Sequence, residues 1–511
     1  MYLNRKLASL SLALIFILSA CVSTTKKPVE FIFLQINDVY EISPISGGKY
    51  GGMARIASLK KQLIAENPNT FLFLSGDFLN PSAIGAVKVE GKSIKGKHMT
   101  EVLNAAKVDF VTFGNHEFDL SEEQLLECIE LSEFEWIATN TFHVKDGKPA
   151  PFVRKRDNFT FPTSKILSLK NENGDSLRVG ILGLTIDYTK PKHVFYAPPF
   201  EAAAGELKKV KPQSDVIFAM THFLMEDDKK MAITLPEIRL LMGGHDHDNI
   251  LEKVGQNVVA KADANARTAY IHRIKVFPDG KVDIKSELKI IDESLNFDPE
   301  TQAVVEKWLS IAKEANKNLD FEKVVYDLGE NVLNAKESEI RNKQCEAGQW
   351  LLSAMDEATG LKADVVLLGS GTVRIDDELK GKITQYDVLR ILPFGGGVDM
   401  TEISGEMLIK LLEGGEKNIG TGGYLQRLYV EKDSTTNDWK VRGKKIEASK
   451  KYKVVVNEYV TSGKENNMDF MSAENPKVKM LINSRKLSAN DLLFDIRKVF
   501  IRYLENRAAK N

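Results

Sequence analysis

Cysteine is scarce in this chain, with three among 511 residues, at positions 21, 128 and 345. Cys128 and Cys345 both fall in helical patterns, so neither a disulfide framework nor a thiolate metal site is indicated. A surplus of charge is also missing: 70 Lys and Arg stand against 71 Asp and Glu, a net charge of −1. The charges are mixed along the sequence, which leaves no electrostatic footprint for a nucleic-acid polymer and no acidic tail. Internal repeats and low-complexity tracts are lacking too. Histidine is rare, eight in all, so where each one sits is informative. What the chain does have is length and apolar content. At 511 residues, 43% of them hydrophobic, it suggests two or three domains with packed cores.

The N-terminus reads separately from the rest. Asn4-Arg5-Lys6 precedes an apolar stretch at 7–18, which is too short for a membrane span, and then Leu18-Ser19-Ala20-Cys21. A basic start, a short hydrophobic segment and small residues describe a secretory signal. The Leu-Ser-Ala-Cys ending is similar to a bacterial lipobox. That implies removal of residues 1–20, acylation of Cys21 and anchoring to the cell envelope, with a tether over 21–30. Val22 rather than Asp after the acylated residue directs the expectation to an outer membrane.

Four of the eight histidines lie in short polar motifs behind apolar runs. Residues 108–113 lead into Gly114-Asn115-His116-Glu117, and 240–242 into Gly244-His245-Asp246-His247. The same design recurs where 31–36 precede Asn37-Asp38, 71–74 precede Gly76-Asp77, and 216–220 precede Thr221-His222. Short buried strands ending in Asn, Asp and His present ligands at the edge of a sheet. Taken singly, a Gly-Asp is a turn, an Asn-His a helix cap and His222 a core histidine; five such strand ends in one chain point instead to a shared metal site. Carboxylates, imidazoles and an Asn carbonyl suit divalent ions such as Zn, Mn, Co or Fe. Two adjacent ions answer the two difficulties of phosphoester hydrolysis, repulsion of the nucleophile and charge on the leaving oxygen.

From residue 31 to about 295, strands alternate with helical patterns at 52–65, 99–106 and 121–131, which argues for a layered α/β domain. Segments at 269–276 and 281–291 read as closing strands. An amphipathic connecting helix is expected within 296–323. A second unit, 324–511, mixes helices (345–358, 407–412, 491–504) with β-rich stretches (365–368, 452–456) and Gly-rich turns.

In order and content the five motifs resemble the calcineurin-like metallophosphoesterases, and the second unit narrows the resemblance to the 5′-nucleotidase family, over about residues 31–475. The resemblance implies a four-layer α/β/β/α sandwich followed by a smaller α+β substrate-binding domain, and a site holding two divalent ions. Carried over by position, Asp77 bridges the ions, Asp38 and His247 serve the first, and Asn115, His222 and His245 serve the second. His116 and Asp119 correspond to the catalytic dyad, the imidazole stabilising charge on the phosphoryl group or leaving oxygen. Glu117 is read as supporting the loop. The implied activity is hydrolysis of nucleoside 5′-monophosphates by a metal-bound hydroxide, with nucleotide sugars or polyphosphates as further substrates. The alternatives are a hydrolase of 2′,3′-cyclic or non-nucleotide phosphoesters, and a catalytically weakened nucleotide-binding lipoprotein.

One position departs from that pattern. The family's first motif is Asp-x-His, whereas this chain has Asp38-Val39-Tyr40. Tyr40 could turn away, leaving the first ion to Asp38, Asp77, His247 and water; bind as a phenolate, favouring ferric iron; or leave a single-ion site. Because a neutral phenol, with pKa about 10, is a poor ligand, the first reading is preferred. In the second unit, Gly369-Ser370-Gly371-Thr372-Val373-Arg374 resembles the family's Gly-rich turn. Leu392-Pro393-Phe394 and Asn457-Glu458-Tyr459 resemble the segments whose rings stack on a base. Arg341 and Arg374 correspond to arginines that meet phosphate. Lys464-Glu465 follows Gly463 where the family has Gly-Asp.

Overall fold

The computed structural model describes residues 26–509; the expected signal segment, Cys21 and the start of the tether lie outside the described residues. Two six-stranded sheets make up the first domain. One runs in the order Val282–Ile290, Thr268–Val276, Val29–Ile36, Thr70–Ser75, Phe110–Thr112 and Glu135–Trp136. The other runs Ser164–Lys170, Ser176–Thr185, Val216–His222, Ile238–Gly243, Asn257–Lys261 and Ile250–Val254. Phe31, Phe33 and Phe73 of the first sheet meet Val179, Ile181 and Phe218 of the second in one apolar layer. Phe33 packs edge-on against Phe218 with ring centroids 5.4 Å apart. These strands are apolar on both faces because each sheet is also covered by helices. Met53–Glu66, Lys97–Ala105 and Glu122–Leu131 cover the first sheet, and Pro199–Val210 and Met225–Thr234 the second. The result is the α/β/β/α order that the resemblance implies, and the layered α/β domain that the alternation of elements argued for.

Local chemistry sets several helix ends. Ser121 and Gln124 form a capping box at Glu122–Leu131, each side chain meeting the other's backbone N–H. Pro299–Ala315 starts on an Asp298 cap. This helix fills the place expected for the connection, yet Val305, Trp308 and Ala312 bury it in the first domain's core.

The second domain is built on a five-stranded sheet ordered Leu425–Leu428, Val365–Gly369, Lys451–Asn457, Val398–Ser404, Lys479–Ile482. Helices Glu346–Ala358 and Ile496–Ala508 cover one face and Gly405–Lys417 the other. An antiparallel pair, Val324–Asn334 with Glu378–Thr384, stands beside it. The domains interlock where Tyr386 and Leu389 enter the first domain's core. A buried polar seam runs alongside: Tyr386 donates to Glu41, and Arg390 lies 3.5 Å from Glu41.

Candidate metal centre and adjoining cleft

In each sheet the strands bearing the motifs are parallel, Val29–Ile36, Thr70–Ser75 and Phe110–Thr112 in one, Val216–His222 and Ile238–Gly243 in the other. Their carboxyl ends therefore share one edge of the sandwich, where such folds place ligands. Asp77, His222 and His245 each bring a donor atom to that edge, all within 4.8 Å of one another. His222 Nε2 is 3.1 Å from Asp77 Oδ2 and 3.9 Å from Asp38 Oδ1. His247 Nε2 is 3.3 Å from Asp38 Oδ1. Asp38, Asp77, Asn115 and His222 are buried.

The backbone is bent to make this possible. Asp38, Asp77, His245 and His247 all have positive φ, at 52°, 56°, 84° and 63°. Non-glycine residues rarely occupy that region, and such strain gathers at functional sites. Gly114 answers a close approach, since a Cβ there would lie 2.1 Å from Asp77 Oδ1. Glu117 takes the loop role read from the sequence. Its carboxylate accepts from the backbone N–H groups of Asp77, Phe78, Leu79 and Gly114 at 2.7–3.0 Å. Burial and the Asp77 charge push its pKa up to about 7.

Whether these residues suit a cation can be judged from what they leave unpaired. Asn115 Oδ1 and His222 Nε2 are buried and make no hydrogen bond. A buried acceptor left so is costly unless something binds it. His222 Nδ1 meets the Ser75 carbonyl at 2.8 Å, which fixes the ring and turns Nε2 toward the carboxylates. The donor set, oxygen and imidazole nitrogen with no thiolate, fits a divalent ion.

Tyr40 corrects the preferred sequence reading. It does not turn away: its hydroxyl lies 3.0 Å from His247 Nε2, 3.2 Å from Asp77 Oδ2 and 3.5 Å from Asp38 Oδ1, and the residue is buried. Burial and the flanking carboxylates raise its pKa well above the ordinary value.

His116 stands beside this cluster, its backbone N–H donating to Asp77 at 2.7 Å and its Nδ1 meeting Asp119 Oδ2 at 2.7 Å. Burial disfavours charge on the ring, but Asp77 and Asp119 outweigh it and lift the pKa to about 10. Arg374 reaches across from the second domain to within 3.6 Å of Asp119. Its guanidinium also sits 6.0 Å from the Phe394 ring centroid. Arg341 pairs with Glu337 and lines a cavity of about 340 Å³ shared with Asp77, Asn115, His116, His245 and His247. The Nε atoms of Arg341 and Arg374 are both buried without a partner.

A wider cleft of about 780 Å³ opens in the second domain, lined by Phe394, Tyr459, Asn457, Glu465 and the glycines of 369–371 and 422–423. Phe394 is 63% exposed and Tyr459 52%, which rules out a core role for either ring. All the predicted site residues thus gather at two adjoining places.

Sequence reasoning missed three residues. Asp376 accepts from His247 Nδ1 through its backbone carbonyl at 2.7 Å. Asp377 binds Arg267 at 2.5 Å and Asn265 at 2.9 Å across the domain boundary. Lys261, fully buried, holds the 244–247 loop through the Gly244 carbonyl at 2.9 Å and an ion pair with Asp246. Its position in the apolar run 258–262 was the one available signal, because a lone charge in a buried strand must have a partner.

Comparison with known proteins matches two segments of the chain. The calcineurin-like phosphoesterase profile matches residues 31–249, and the 5′-nucleotidase C-terminal domain profile matches 329–473. A trifunctional nucleotide phosphoesterase, YfkN of Bacillus subtilis, is 26% identical over 400 residues, 70% of this chain but only 27% of that longer protein. A 5′-nucleotidase of Vibrio parahaemolyticus is 25% identical over 482 residues, 81% of this chain and 80% of its own. The crystal structure of a 5′-nucleotidase precursor from Thermus thermophilus superposes with a TM-score of 0.64, at 18% identity over 94% of this chain and 97% of its own, a likeness of fold. The donors fall in the first matched segment and the aromatic cleft in the second, so the chain belongs to the calcineurin-like phosphoesterases that carry a 5′-nucleotidase C-terminal domain, and is a metal-dependent phosphoester hydrolase.

Proposed function

We propose that the chain hydrolyses nucleoside 5′-monophosphates to nucleoside and phosphate. The reading is carried by one juxtaposition: the Arg374 guanidinium lies between Asp119, 3.6 Å away beside the buried donor cluster, and the Phe394 ring at the mouth of the aromatic cleft, its centroid 6.0 Å away. A phosphate at the cluster and a base in the cleft would be spanned by a single nucleotide. Phe394 and Tyr459 offer exposed π-faces for stacking, which tolerates any base. Arg341 and Arg374, each with an unpaired Nε, offer forked donors for phosphate oxygens.

Asp38, Asp77 and His247 would hold one divalent ion, and Asp77, Asn115, His222 and His245 a second. Such ions lower the pKa of water and screen phosphoryl charge. Beside them, a His116 imidazolium, favoured by Asp119, would place a positive charge at the phosphoryl group or leaving oxygen. Asp119 fixes the ring orientation through Nδ1. The hydrophobic and lipobox-like segment at 7–21 supports export and anchoring through Cys21, so that the substrate would be met outside the cytoplasm.

The test is phosphate release from AMP by protein beginning at residue 22, with and without chelator. UDP-glucose, 2′,3′-cyclic AMP and an aryl phosphate serve as comparisons. AMP turnover abolished by chelator and restored by Mn or Zn is the expected result. Equal turnover of the aryl phosphate, with no preference for AMP, would overturn the nucleotide assignment.

A further inference from the structure

We infer that the Tyr40 hydroxyl oxygen is a ligand of the first cation, taking the place of an imidazole. The inference rests on the two-ion reading above and concerns which atoms complete the first subsite. The distances carry it. The Tyr40 oxygen lies 3.0, 3.2 and 3.5 Å from His247 Nε2, Asp77 Oδ2 and Asp38 Oδ1, and His247 Nε2 lies 3.3 Å from Asp38 Oδ1. A four-coordinate ion with bonds of about 2.0–2.1 Å has its donors spaced by about 3.3–3.4 Å. Tyr40 is therefore spaced from Asp38, Asp77 and His247 as one vertex of such a polyhedron is from the others.

The His247 ring is turned to suit this. Its Nδ1 meets the Asp376 carbonyl, which can only accept, so Nε2 is the atom directed at Tyr40 and Asp38 and is the one free to ligate in the neutral ring. Nε2 and two carboxylate oxygens thus converge on the Tyr40 hydroxyl. With Tyr40 included, the first subsite presents three oxygens and one nitrogen, from Tyr40, Asp38, Asp77 and His247. The second presents two of each, from Asp77, Asn115, His222 and His245. Harder ions such as Mn or Fe should favour the first and Zn the second.

The experiment uses the whole protein in detergent, stripped with chelator and titrated with Mn(II) and Zn(II). Bound equivalents are counted by calorimetry and by elemental analysis after dialysis. Wild type should take two equivalents. Tyr40→Phe should keep one at wild-type affinity, which also reports that the fold and the second subsite survive, and bind the other more than about tenfold more weakly. Tyr40→His should restore the second equivalent while shifting its preference from Mn toward Zn. Protein loaded with ferric iron should show a visible phenolate-to-iron absorption that Tyr40→Phe lacks. Two equivalents at unchanged affinity in Tyr40→Phe would overturn the inference. So would one equivalent in wild type with two in Tyr40→Phe, since the phenol would then be blocking the subsite. Wild type that binds no metal would instead fail the two-ion reading itself.

Discussion

His247, a candidate ligand in the first domain, gives its Nδ1 hydrogen to the backbone carbonyl of Asp376 in the second, at 2.7 Å. Ligating histidines are usually oriented by such an outer partner. Here the partner belongs to the other domain, so the placement of one domain on the other helps to aim a ligand. Asp377, the next residue, anchors that placement through Arg267 and Asn265.

Asp377→Ala is expected to destabilise the protein by about 1–3 kcal/mol, because it removes the carboxylate partner of Arg267 and the acceptor of the buried Asn265 amide, while Arg390 keeps Asp387. A denaturant midpoint measured alongside wild type checks this. The same variant should weaken binding of one metal equivalent. A midpoint within error of wild type would remove the anchoring role.

His116→Ala is expected to lower kcat by roughly 10²–10⁴, the usual contribution of a positioned proton-bearing group. Metal content should stay at the wild-type level, since His116 lies beside the donors rather than among them. A parallel fall in metal content would make it a ligand instead.

Phe394→Ala and Tyr459→Ala should act on KM for AMP more than on kcat. A stacked ring contributes about 1–3 kcal/mol, or roughly fivefold to more than a hundredfold. Turnover of a small aryl phosphate should be nearly unchanged in both. Steady-state kinetics on the two substrates separate a base platform from a general loss of folding.

Acid should destabilise the fold through two histidines remote from the donor cluster. His98 and His272 are fully buried, and burial depresses their pKa values to about 4 and about 3. Unfolded, each titrates near ~6.5. Between those values the unfolded chain binds protons that the native chain refuses, so stability rises with pH. Their contribution is complete above pH ~6.5 and is lost as pH falls toward the folded values, about 2–3 kcal/mol each by pH ~4.5. Denaturation of wild type and His272→Gln at pH 7.5 and 4.5 checks the sign: the loss on acidification should be smaller in the variant.

The donors were legible in the sequence because each lies within a few residues of a buried strand's end. Apolar runs ending in Asp, Asn or His need no tertiary knowledge to be noticed. Phe394 and Tyr459 were legible through the resemblance of their segments to the family's, with their glycine flanks in support. The orientation of Tyr40 was not, since its side chain is turned inward by His247 and Asp77, 207 and 37 positions away. Asp376 and Asp377 escaped notice for a related reason. They act through a carbonyl and an ion pair on residues of the other domain, and neither mark is written locally. The antiparallel edge pair Ser164–Lys170 and Ser176–Thr185 was also passed over, its first strand being half exposed and thinly patterned.

The left-handed backbone at Asp38, Asp77, His245 and His247 sets a conflict between persistence and catalysis. Glycine would relax at each of these positions, whereas every other residue holds them under tension. His245→Gly should therefore yield a sturdier protein that turns over less. A search for heat-resistant variants would tend to drift toward inert ones unless activity were selected at the same time.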